Sequence, residues 1–278
     1  MIKKISIILS TYNSPDWLEK TIFGFSCQTI KPNEILIADD GSDDATRSRI
    51  NQLRDETGLN LIHIWQEDNG FRKTLILNKA IIQSTGDYLI FTDGDCIPRD
   101  DFVSKHIDKA KPGYFLSGGY FKLPMETSLS INNDQILSGK CFEIEWLKKH
   151  GLKATYKSTK LSAQGWRESV FNTLTPTKAT WNGHNASGWR SDILKANGFD
   201  NRMQYGGEDR ELGERLFNSG IKAKQIRYSA ICIHLDHDRG YINQEALNRN
   251  LQIRNHTRQK RITRTNFGIS ELTINSEK

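Results

Sequence analysis

Apolar residues recur along the first part of the chain in two alternating patterns. Short apolar runs at 5–10, 34–38, 59–65 and 87–91 predict buried strands. Helices are predicted between them over 16–28, 43–56 and 71–83, the first with Ser14 as its candidate N-cap and Pro15 in its first turn. This alternation of strands and helices predicts an α/β fold with a mostly parallel sheet that carries helices on both faces.

Polar residues follow three of the four predicted strands. These residues are Thr11, Tyr12 and Asn13 after the first strand, Asp39 and Asp40 after the second, and Asp93 and Asp95 after the fourth. Ligands of such sheets bind beyond the carboxyl ends of the strands. The sequence therefore predicts a binding site at this edge of the sheet.

The pattern weakens beyond residue 124. Helices are predicted over 132–138 and 142–150, followed by a polar stretch at 151–182. Order returns with a helix at 191–196, a helix from Gly206 to Ser219 and a late strand at 230–233. No internal repeat is present, so one α/β domain is expected.

Charge is unevenly distributed along the chain. Its 39 Lys and Arg exceed its 33 Asp and Glu by six, and residues 246–278 alone carry seven basic and two acidic residues, or +5. We therefore expect a basic C-terminal tail on a nearly neutral body. Such a tail suits an anionic membrane surface or nucleic acid, although a solvated tail without a partner explains it equally well. A third possibility is that Leu247, Leu251 and Ile253 form a helical stripe that docks on the body.

Length and composition exclude several classes of protein. The 278 residues are 36% hydrophobic and 26% charged, which suits a folded domain rather than a disordered chain. The four cysteines form no CxxC pair, so reduced thiols are expected. The short apolar run near the N-terminus does not resemble a secretory signal, so we expect a cytoplasmic protein, either free or peripheral to the inner face of the membrane.

Two acidic clusters at strand ends are candidate ligand sites. Asp93 and Asp95 flank Gly94, an arrangement that suits a hard divalent cation and a diphosphate. An Asx-rich turn is the structural alternative. Asp39 and Asp40 can accept hydrogen bonds from a ribose or a base, or can serve the turn into the next helix, where Ser42 or Asp43 could be the N-cap.

The second half of the chain contains two further candidate motifs. Gly207, Glu208 and Asp209 place carboxylates at a predicted helix N-terminus, where they could cap the helix or act as a general base. His234 and His237 follow the late strand and could bind a metal or only pack. Asp236 and Asp238 could orient the two rings.

The order of these motifs resembles the inverting family-2 glycosyltransferases of the GT-A fold. The carrying segments are Ser10-Thr11-Tyr12-Asn13, Asp39-Asp40-Gly41-Ser42 and Gly86 to Asp95. The later segments resemble those of β-1,4-galactosyltransferase and chondroitin-polymerase-like enzymes, namely Asn197-Gly198-Phe199, Tyr205 to Asp209 and His234-x-x-His237-Asp238-Arg239. The resemblance covers about residues 3–242 and implies a nucleotide-sugar-binding half at 1–123, an acceptor-binding and catalytic half at 124–245, and the tail at 246–278.

The resemblance implies a role for each matched residue. It implies a nucleotide-sugar site formed by Thr11, Tyr12, Asp39, Asp40, Arg72, Lys73, Asp93, Gly94 and Gly207. It implies Mn²⁺ or Mg²⁺ bound by Asp95 and His237, with His234 as a possible further ligand. It implies Asp209 as the catalytic base, expected to be ionised at pH 7, and Glu208 as the acid that orients the acceptor.

The implied reaction is transfer of a sugar from a UDP-sugar to a saccharide or lipid-linked saccharide, in the setting of bacterial surface polysaccharide or lipopolysaccharide synthesis. A nucleotidyltransferase is the alternative enzyme. It requires a glycine-rich phosphate loop near residues 10–14, and this segment of the chain contains no glycine. A nucleic-acid-binding protein is the alternative outside enzymes. Such a protein requires a basic body. Because the body of this chain is nearly neutral, no nucleic-acid partner is expected.

Overall fold

A computed structural model describes residues 2–153, 155–238 and 243–276. Arg239 of the predicted histidine motif and Glu277 and Lys278 of the predicted tail lie outside the described residues. The predicted strands and helices are confirmed to within a few residues at each end.

Ten strands are described. They are β1 (Ile5–Thr11), β2 (Glu34–Asp39), β3 (Leu61–Trp65), β4 (Tyr88–Asp93), β5 (Cys96–Pro98), β6 (Tyr114–Ser117), β7 (Gly119–Lys122), β8 (Ala186–Trp189), β9 (Lys222–Gln225) and β10 (Ile231–His234).

The α-helices of the described ranges flank these strands and fill the second half of the chain. They are α1 (Pro15–Ser26), α2 (Asp44–Thr57), α3 (Lys73–Gln83), α4 (Phe102–Lys109), α5 (Met125–Ser130), α6 (Asn133–Leu137), α7 (Ile144–Lys149), α8 (Thr159–Ser162), α9 (Trp166–Leu174), α10 (Arg190–Lys195), α11 (Glu208–Asn218), α12 (Gln244–Gln259) and α13 (Ile269–Ser276).

The main sheet has seven strands in the order β3-β2-β1-β4-β8-β6-β9. β1 is parallel to β2 and β4, β2 is parallel to β3, and β6 is parallel to β9, whereas β8 runs antiparallel to β4 and β6. The predicted α/β class with a mostly parallel sheet is confirmed. The antiparallel β8 has no counterpart in the predicted elements, because its four residues are too few to show a pattern.

The register of the parallel strands aligns their polar ends. Thr11 of β1 pairs with Asp39 of β2, and Ser10 pairs with Asp93 of β4. The three predicted polar clusters therefore lie at one edge of the sheet, as expected.

A second, three-stranded sheet in the order β5-β10-β7 brings the two halves of the chain together. β10 is antiparallel to β5, with His234 opposite Cys96, and parallel to β7. Because Asp95 directly precedes β5, this pairing places the first histidine of the late motif beside the acidic motif of β4. Residues far apart in the chain therefore meet at one point.

Buried apolar side chains fill both faces of the main sheet. Leu18, Ile22 and Phe25 of α1 are fully buried on one face, as the helical spacing predicts. On the other face, Trp181 packs against Phe91 and Phe115. This double-sided core holds the strand ends in fixed positions.

The segment from residue 246 is not a separate tail, because α12 packs on α11. The amide of Asn250, which is fully buried, donates to the backbone carbonyls of Gln204, Tyr205 and Gly206 at 2.8, 3.2 and 3.1 Å. Arg254 also forms an ion pair with Glu214 of α11 at 2.6 Å. The segment docks as a helix, but not through the full predicted stripe of Leu247, Leu251 and Ile253, since Leu251 is 51% exposed and the buried residues of α12 are Ala246, Asn250 and Thr257.

We expect Asn250→Ala to lower the melting temperature by a few degrees and to reduce turnover. The substitution removes an amide whose two N–H groups are shared among three partly buried carbonyls, a loss that costs about 1–3 kcal/mol in all. Asn248→Ala, on the exposed side of the same helix, is the matched control. Equal thermal melts and equal turnover for both variants would show that α12 does not support the preceding loop.

No helix in the described ranges has the length and apolar character needed to cross a membrane.

Candidate active site

A cleft of about 840 Å³ opens at the carboxyl ends of β1, β2 and β4 and is bounded on its other side by the start of α11 and the end of β10. Its lining includes every predicted site residue except Asp39 and Arg72. The predicted residues in the lining are Thr11, Tyr12, Asp40, Lys73, Asp93, Gly94, Asp95, Gly207, Glu208, Asp209, His234 and His237.

Asp40 and Tyr12 form one end of the cleft. Asp40 accepts hydrogen bonds from the side chain of Gln66 at 2.6 Å and from the backbone N–H of Arg72 at 2.8 Å. Burial raises the pKa of the Asp40 carboxyl, although these two bonds oppose the shift. The Tyr12 hydroxyl donates to Asp68 at 2.9 Å. Near them the buried Thr11 Oγ1 has no partner among the described residues, so it is available to a ligand.

Asp39 does not line the cleft. One of its oxygens accepts from the backbone N–H of Ser42 at 2.8 Å, and the other lies 2.8 Å from Nε2 of His63. The N-cap of α2 is Asp43, whose side chain accepts from two backbone N–H groups. Asp39 therefore supports the turn, and Asp40 is the residue of the pair that lines the cleft.

Arg72 also lies outside the cleft lining. Its guanidinium donates to the backbone carbonyl of Glu67, and its backbone N–H donates to Asp40. The neighbouring Lys73 is the cation that reaches the cleft. Of the two predicted basic residues, the structure therefore brings one to the site.

Lys73 interacts electrostatically with Asp93 at the end of β4 and with Glu208 and Asp209 at the start of α11. Its Nζ lies 2.6 Å from Asp93, which also accepts from the hydroxyl of Ser10 at 2.7 Å. Burial acts against the charge on Lys73, but Asp93, Asp209 and Glu208 together raise its pKa. Burial likewise opposes ionisation of Asp93, yet Lys73 and Ser10 lower the pKa of that carboxyl. The pair is thus ionised at the centre of the cleft.

Asp95, His234 and His237 form a cluster of three groups that could hold a metal ion, with one ligand atom from each lying within 4.8 Å of the others. Nε2 of His237 lies 3.0 Å from Oδ2 of Asp95, and Nε2 of His234 lies 3.8 Å from the same oxygen. The residues that the sequence places in two distant motifs therefore converge on one point.

The hydrogen bonds behind the two rings define their tautomers. Nδ1 of His234 lies 2.8 Å from the carbonyl of Leu235, and Nδ1 of His237 lies 2.8 Å from the carbonyl of Asp238. A carbonyl can only accept, so each Nδ1 must carry the proton. In the neutral imidazole each Nε2 then turns a lone pair toward Asp95. This is the arrangement of metal-ligating histidines, and the residues present fit a divalent ion.

We expect His237→Ala to weaken Mn²⁺ affinity on the order of tenfold or more, and His234→Ala to weaken it less. The reason for the difference is distance: Nε2 of His237 lies 3.0 Å from Asp95, whereas Nε2 of His234 lies 3.8 Å from it. Calorimetric metal titrations would measure both effects, with His256→Ala on the exposed side of α12 as the control. If all three variants titrate like the parent chain, the two histidines only pack.

Glu208 and Asp209 begin α11, after two glycines with left-handed backbone. Gly206 has φ 107° and Gly207 has φ 93°, values that disfavour any residue with a Cβ. Glu208 turns back to accept from the N–H of Gly206 at 2.8 Å. The Asp209 carboxylate accepts from the backbone N–H of Gly183, but its buried Oδ1 has no partner among the described residues. An unpartnered buried carboxylate oxygen in a cleft is suited to receive a proton.

The expectation that Asp209 is ionised at pH 7 needs correction. Burial, followed by repulsion from Glu208, raises the pKa of Asp209 to about 7, although Lys73 opposes the shift. A carboxylate with this pKa is half protonated at neutral pH and is a stronger base than an exposed aspartate. Only the folded environment creates this difference.

Several cleft residues, among them His184 and Asp68, were not recognised from the sequence. His184 and Trp181 line the cleft between the two halves, and Asp68 holds Tyr12. Burial lowers the pKa of His184 to about 4, so its ring is neutral. The Trp181 Nε1–H is buried without a partner among the described residues. His184 and Asp68 lie in polar stretches without strand or helix periodicity, so no local pattern marks them.

Comparison with known families agrees with this architecture. The family described as "Glycosyl transferase family 2" matches residues 6–171, more than half of the chain. The family described as "N-terminal domain of galactosyltransferase" matches residues 177–238. The chain belongs to glycosyl transferase family 2.

Several curated proteins are similar in sequence. Chondroitin synthase of Escherichia coli is 26% identical over 249 residues, which cover 81% of this chain and 34% of the relative. The GalNAc(5)-diNAcBac-PP-undecaprenol beta-1,3-glucosyltransferase of Campylobacter jejuni is 30% identical over 131 residues, covering 46% of this chain and 41% of that enzyme. The chain thus spans well under half the length of these relatives.

Solved structures share the fold. The TarS 1–349 structure from S. aureus in complex with UDP-GlcNAc superimposes with a TM-score of 0.59 at 16% identity, covering 91% of this chain and 65% of that one. The mannosyltransferase PcManGT from Pyrobaculum calidifontis, in complex with GDP-Man and Mn²⁺, gives a TM-score of 0.55 at 17% identity, covering 86% and 58%. The fold is therefore the GT-A fold of glycosyltransferases, as the sequence motifs predict.

Proposed function

We propose that the protein is a metal-dependent, inverting glycosyltransferase that uses a UDP-sugar. The observation that carries this proposal is the meeting, in one cleft, of the Asp95, His234 and His237 cluster with the Asp209 carboxylate, whose Oδ1 has no partner among the described residues. Two functions are thus supplied at one place: a site for a cation beside a diphosphate, and a base for an acceptor hydroxyl. Membership of glycosyl transferase family 2 supports the same assignment.

The proposed metal is Mn²⁺ in preference to Mg²⁺. Magnesium favours an all-oxygen octahedral set, whereas two imidazoles and one carboxylate suit a softer divalent ion. When bound, the metal would neutralise negative charge that develops on the diphosphate leaving group. The Mn²⁺ complex of the mannosyltransferase is consistent with this choice.

The nucleotide is proposed to bind at the end of the cleft formed by Thr11, Tyr12 and Asp40. The Thr11 hydroxyl is free to bond a ligand, and Tyr12 is 48% exposed, so its ring can lie against a base. The UDP-GlcNAc complex of TarS supports uridine as the base. Lys73, held by Asp93, supplies the protein's positive charge near the proposed diphosphate position.

The acceptor hydroxyl is proposed to lose its proton to Oδ1 of Asp209 as it attacks the anomeric carbon from the face opposite the leaving diphosphate. One base acting in line inverts the anomeric centre, and no covalent nucleophile takes part. Glu208, held by the N–H of Gly206, is placed to orient the acceptor and also raises the proton affinity of Asp209. A saccharide or lipid-linked saccharide acceptor is proposed from the printed activities of the relatives.

A donor screen tests the proposed function. We expect UDP with Mn²⁺ to raise the melting temperature, because a ligand that binds only the native state stabilises it. GDP with Mn²⁺ and UDP with Mg²⁺ serve as matched comparisons, and release of UDP from each UDP-sugar identifies the donor. The absence of any nucleotide-dependent shift, together with no hydrolysis of any UDP-sugar, would contradict the proposal.

A further inference from the structure

Residues 148–178 carry a strong excess of positive charge. The basic residues in this range are Lys148, Lys149, Lys153, Lys157, Lys160, Arg167 and Lys178, and Glu168 is the sole acid. The net charge of the range is therefore 7 − 1 = +6, equal to that of the whole 278-residue chain. We call residues 148–178 the basic segment.

The one acid of the basic segment is hidden from the surface. Glu168 is buried, and both of its oxygens accept from Lys105 of α4 at 2.9 Å. The outer surface of the segment thus presents positive charge without a compensating carboxylate from its own sequence. Lys153, Lys157 and Lys178 are all exposed.

Helix α9, within the basic segment, turns an apolar stripe to the solvent. Trp166, Val170 and Leu174 are four residues apart and therefore lie on one side of the helix. Trp166 is 73% exposed and Leu174 is 72% exposed. The guanidinium of Arg167 lies 5.8 Å from the ring of Trp166, so a cation borders the stripe.

The opposite side of α9 is fixed to the body. Besides Glu168, the side chain of Asn172 donates to the hydroxyl of Ser229 at 2.9 Å and accepts from the N–H of Tyr228 at 2.9 Å. The ring of Phe171 packs on that of Tyr228 with centroids 5.3 Å apart. The outward direction of the apolar stripe is therefore set by contacts on the inner side.

We propose that the basic segment docks on an anionic lipid surface, with the apolar stripe of α9 inserted at the level of the headgroups. Lysines attract anionic lipids, and an amphipathic helix buries Trp and Leu at such an interface. A second copy of the chain is disfavoured, because the exposed Lys153, Lys157 and Lys178 of the two copies would repel each other. Trp166 and Tyr156 are exposed rings on which a base could stack, but Val170 and Leu174 of the same stripe are aliphatic, which suits a lipid surface better than nucleic acid.

The basic segment lies beside the cleft. Lys160 donates to the backbone carbonyl of Tyr120 at 3.0 Å, and its Nζ lies 5.4 Å from the centre of that ring. The Tyr120 ring in turn lies 4.4 Å from the ring of His184 and 5.8 Å from that of His234. Docking at this surface would hold the part of the cleft that contains His184 and His234 close to the membrane.

Co-sedimentation of the full chain with vesicles tests the proposal. We expect binding to vesicles of phosphatidylglycerol mixed with phosphatidylcholine, little binding to phosphatidylcholine alone, and loss of binding as salt rises. Each basic residue near an anionic surface contributes about fivefold in affinity. The triple variant Lys153→Gln, Lys157→Gln and Lys178→Gln should therefore bind about 10²-fold more weakly.

A second variant tests the apolar stripe, and a third is the matched control. Trp166→Ser with Val170→Ser and Leu174→Ser should weaken vesicle binding on the order of tenfold or more. The control alters one exposed apolar and two exposed basic residues elsewhere, as Leu251→Ser with Arg249→Gln and Lys260→Gln. It should bind vesicles within about twofold of the parent, since each changed residue lies outside the basic segment.

The nucleotide-dependent thermal shift should be the same for all four proteins, which keeps this test separate from that of the proposed function. If the parent chain does not bind anionic vesicles, the docking proposal is wrong. The same conclusion follows if the control variant loses as much affinity as the first two. Concentration-dependent self-association without lipid, abolished by the α9 variant, would assign the stripe to a second copy instead.

Discussion

Asp209→Asn is expected to reduce turnover by about 10²- to 10⁴-fold, the range for removal of a general base. The asparagine side chain has nearly the same shape as aspartate but cannot take up a proton from the acceptor. Metal affinity and the UDP-dependent thermal shift should survive, because Asp209 lies outside the cluster of Asp95, His234 and His237. Single-turnover rates and metal titrations on the same preparation would measure both properties.

The pH profile gives the same assignment a second readout. The raised pKa of Asp209, about 7, means that the carboxyl is protonated below this value and ionised above it. A base acts in its ionised form, so the rate of the parent enzyme should rise with pH through about 7 and then level off. The residual rate of Asp209→Asn should lack this rise.

Glu208→Gln is the comparison for Asp209→Asn. One side-chain oxygen of Glu208 accepts from the N–H of Gly206, and the amide oxygen of glutamine can accept the same bond. Removing its charge also removes the repulsion that raises the pKa of Asp209, so the rising limb of the profile should move to lower pH. If Asp209→Asn instead retains turnover but loses UDP affinity, Asp209 belongs to donor binding.

Asp95→Ala is expected to abolish transfer and metal-dependent UDP binding while leaving the fold intact. Both histidines turn Nε2 toward Asp95, so its loss removes the one carboxylate of the three-residue cluster. The backbone carbonyl of Asp95, which accepts from the N–H of Leu235 at 2.9 Å, is unchanged by the substitution. The connection between the two sheets should therefore persist.

Asp238→Ala is the matched control for Asp95→Ala. It removes a carboxylate from the same cleft but keeps the backbone carbonyl to which His237 donates. Mn²⁺ titrations, UDP-dependent thermal shifts and turnover should separate the two variants. Near-normal turnover of Asp95→Ala without added metal would exclude a metal role for this residue.

Much of the site could be predicted because the carboxyl ends of parallel strands share one edge of a sheet. The polar residues after β1, β2 and β4 needed only that rule to be placed together. The apolar run by itself could not distinguish Asp39 from Asp40, since both residues follow it. Neighbouring residues of an extended chain point to opposite sides, and β2 turns Asp39 toward His63 and Ser42.

The C-terminal region shows a limit of pattern analysis. Basic residues in 246–278 predict a tail, with a docked helical stripe of Leu247, Leu251 and Ile253 as an alternative, and α12 docks largely through the buried amide of Asn250. Hydrogen bonds from a helix to a loop leave no apolar periodicity that would select this alternative. The surface rich in both charge and exposed apolar residues instead lies at 148–178, within and around the stretch that has no clear pattern.

The sequence by itself determined the order of strands and helices and the ordered set of motifs that defines the family, because both depend on local spacing. Only the tertiary structure decided that His234 and His237 meet Asp95, since this contact depends on the pairing of β10 with β5 across more than a hundred residues. It also decided the proton affinity of Asp209. A pKa near 7 arises from burial and from the nearness of Glu208, Lys73 and Asp93 in space, and no local sequence pattern specifies how much water a folded chain excludes around a carboxylate.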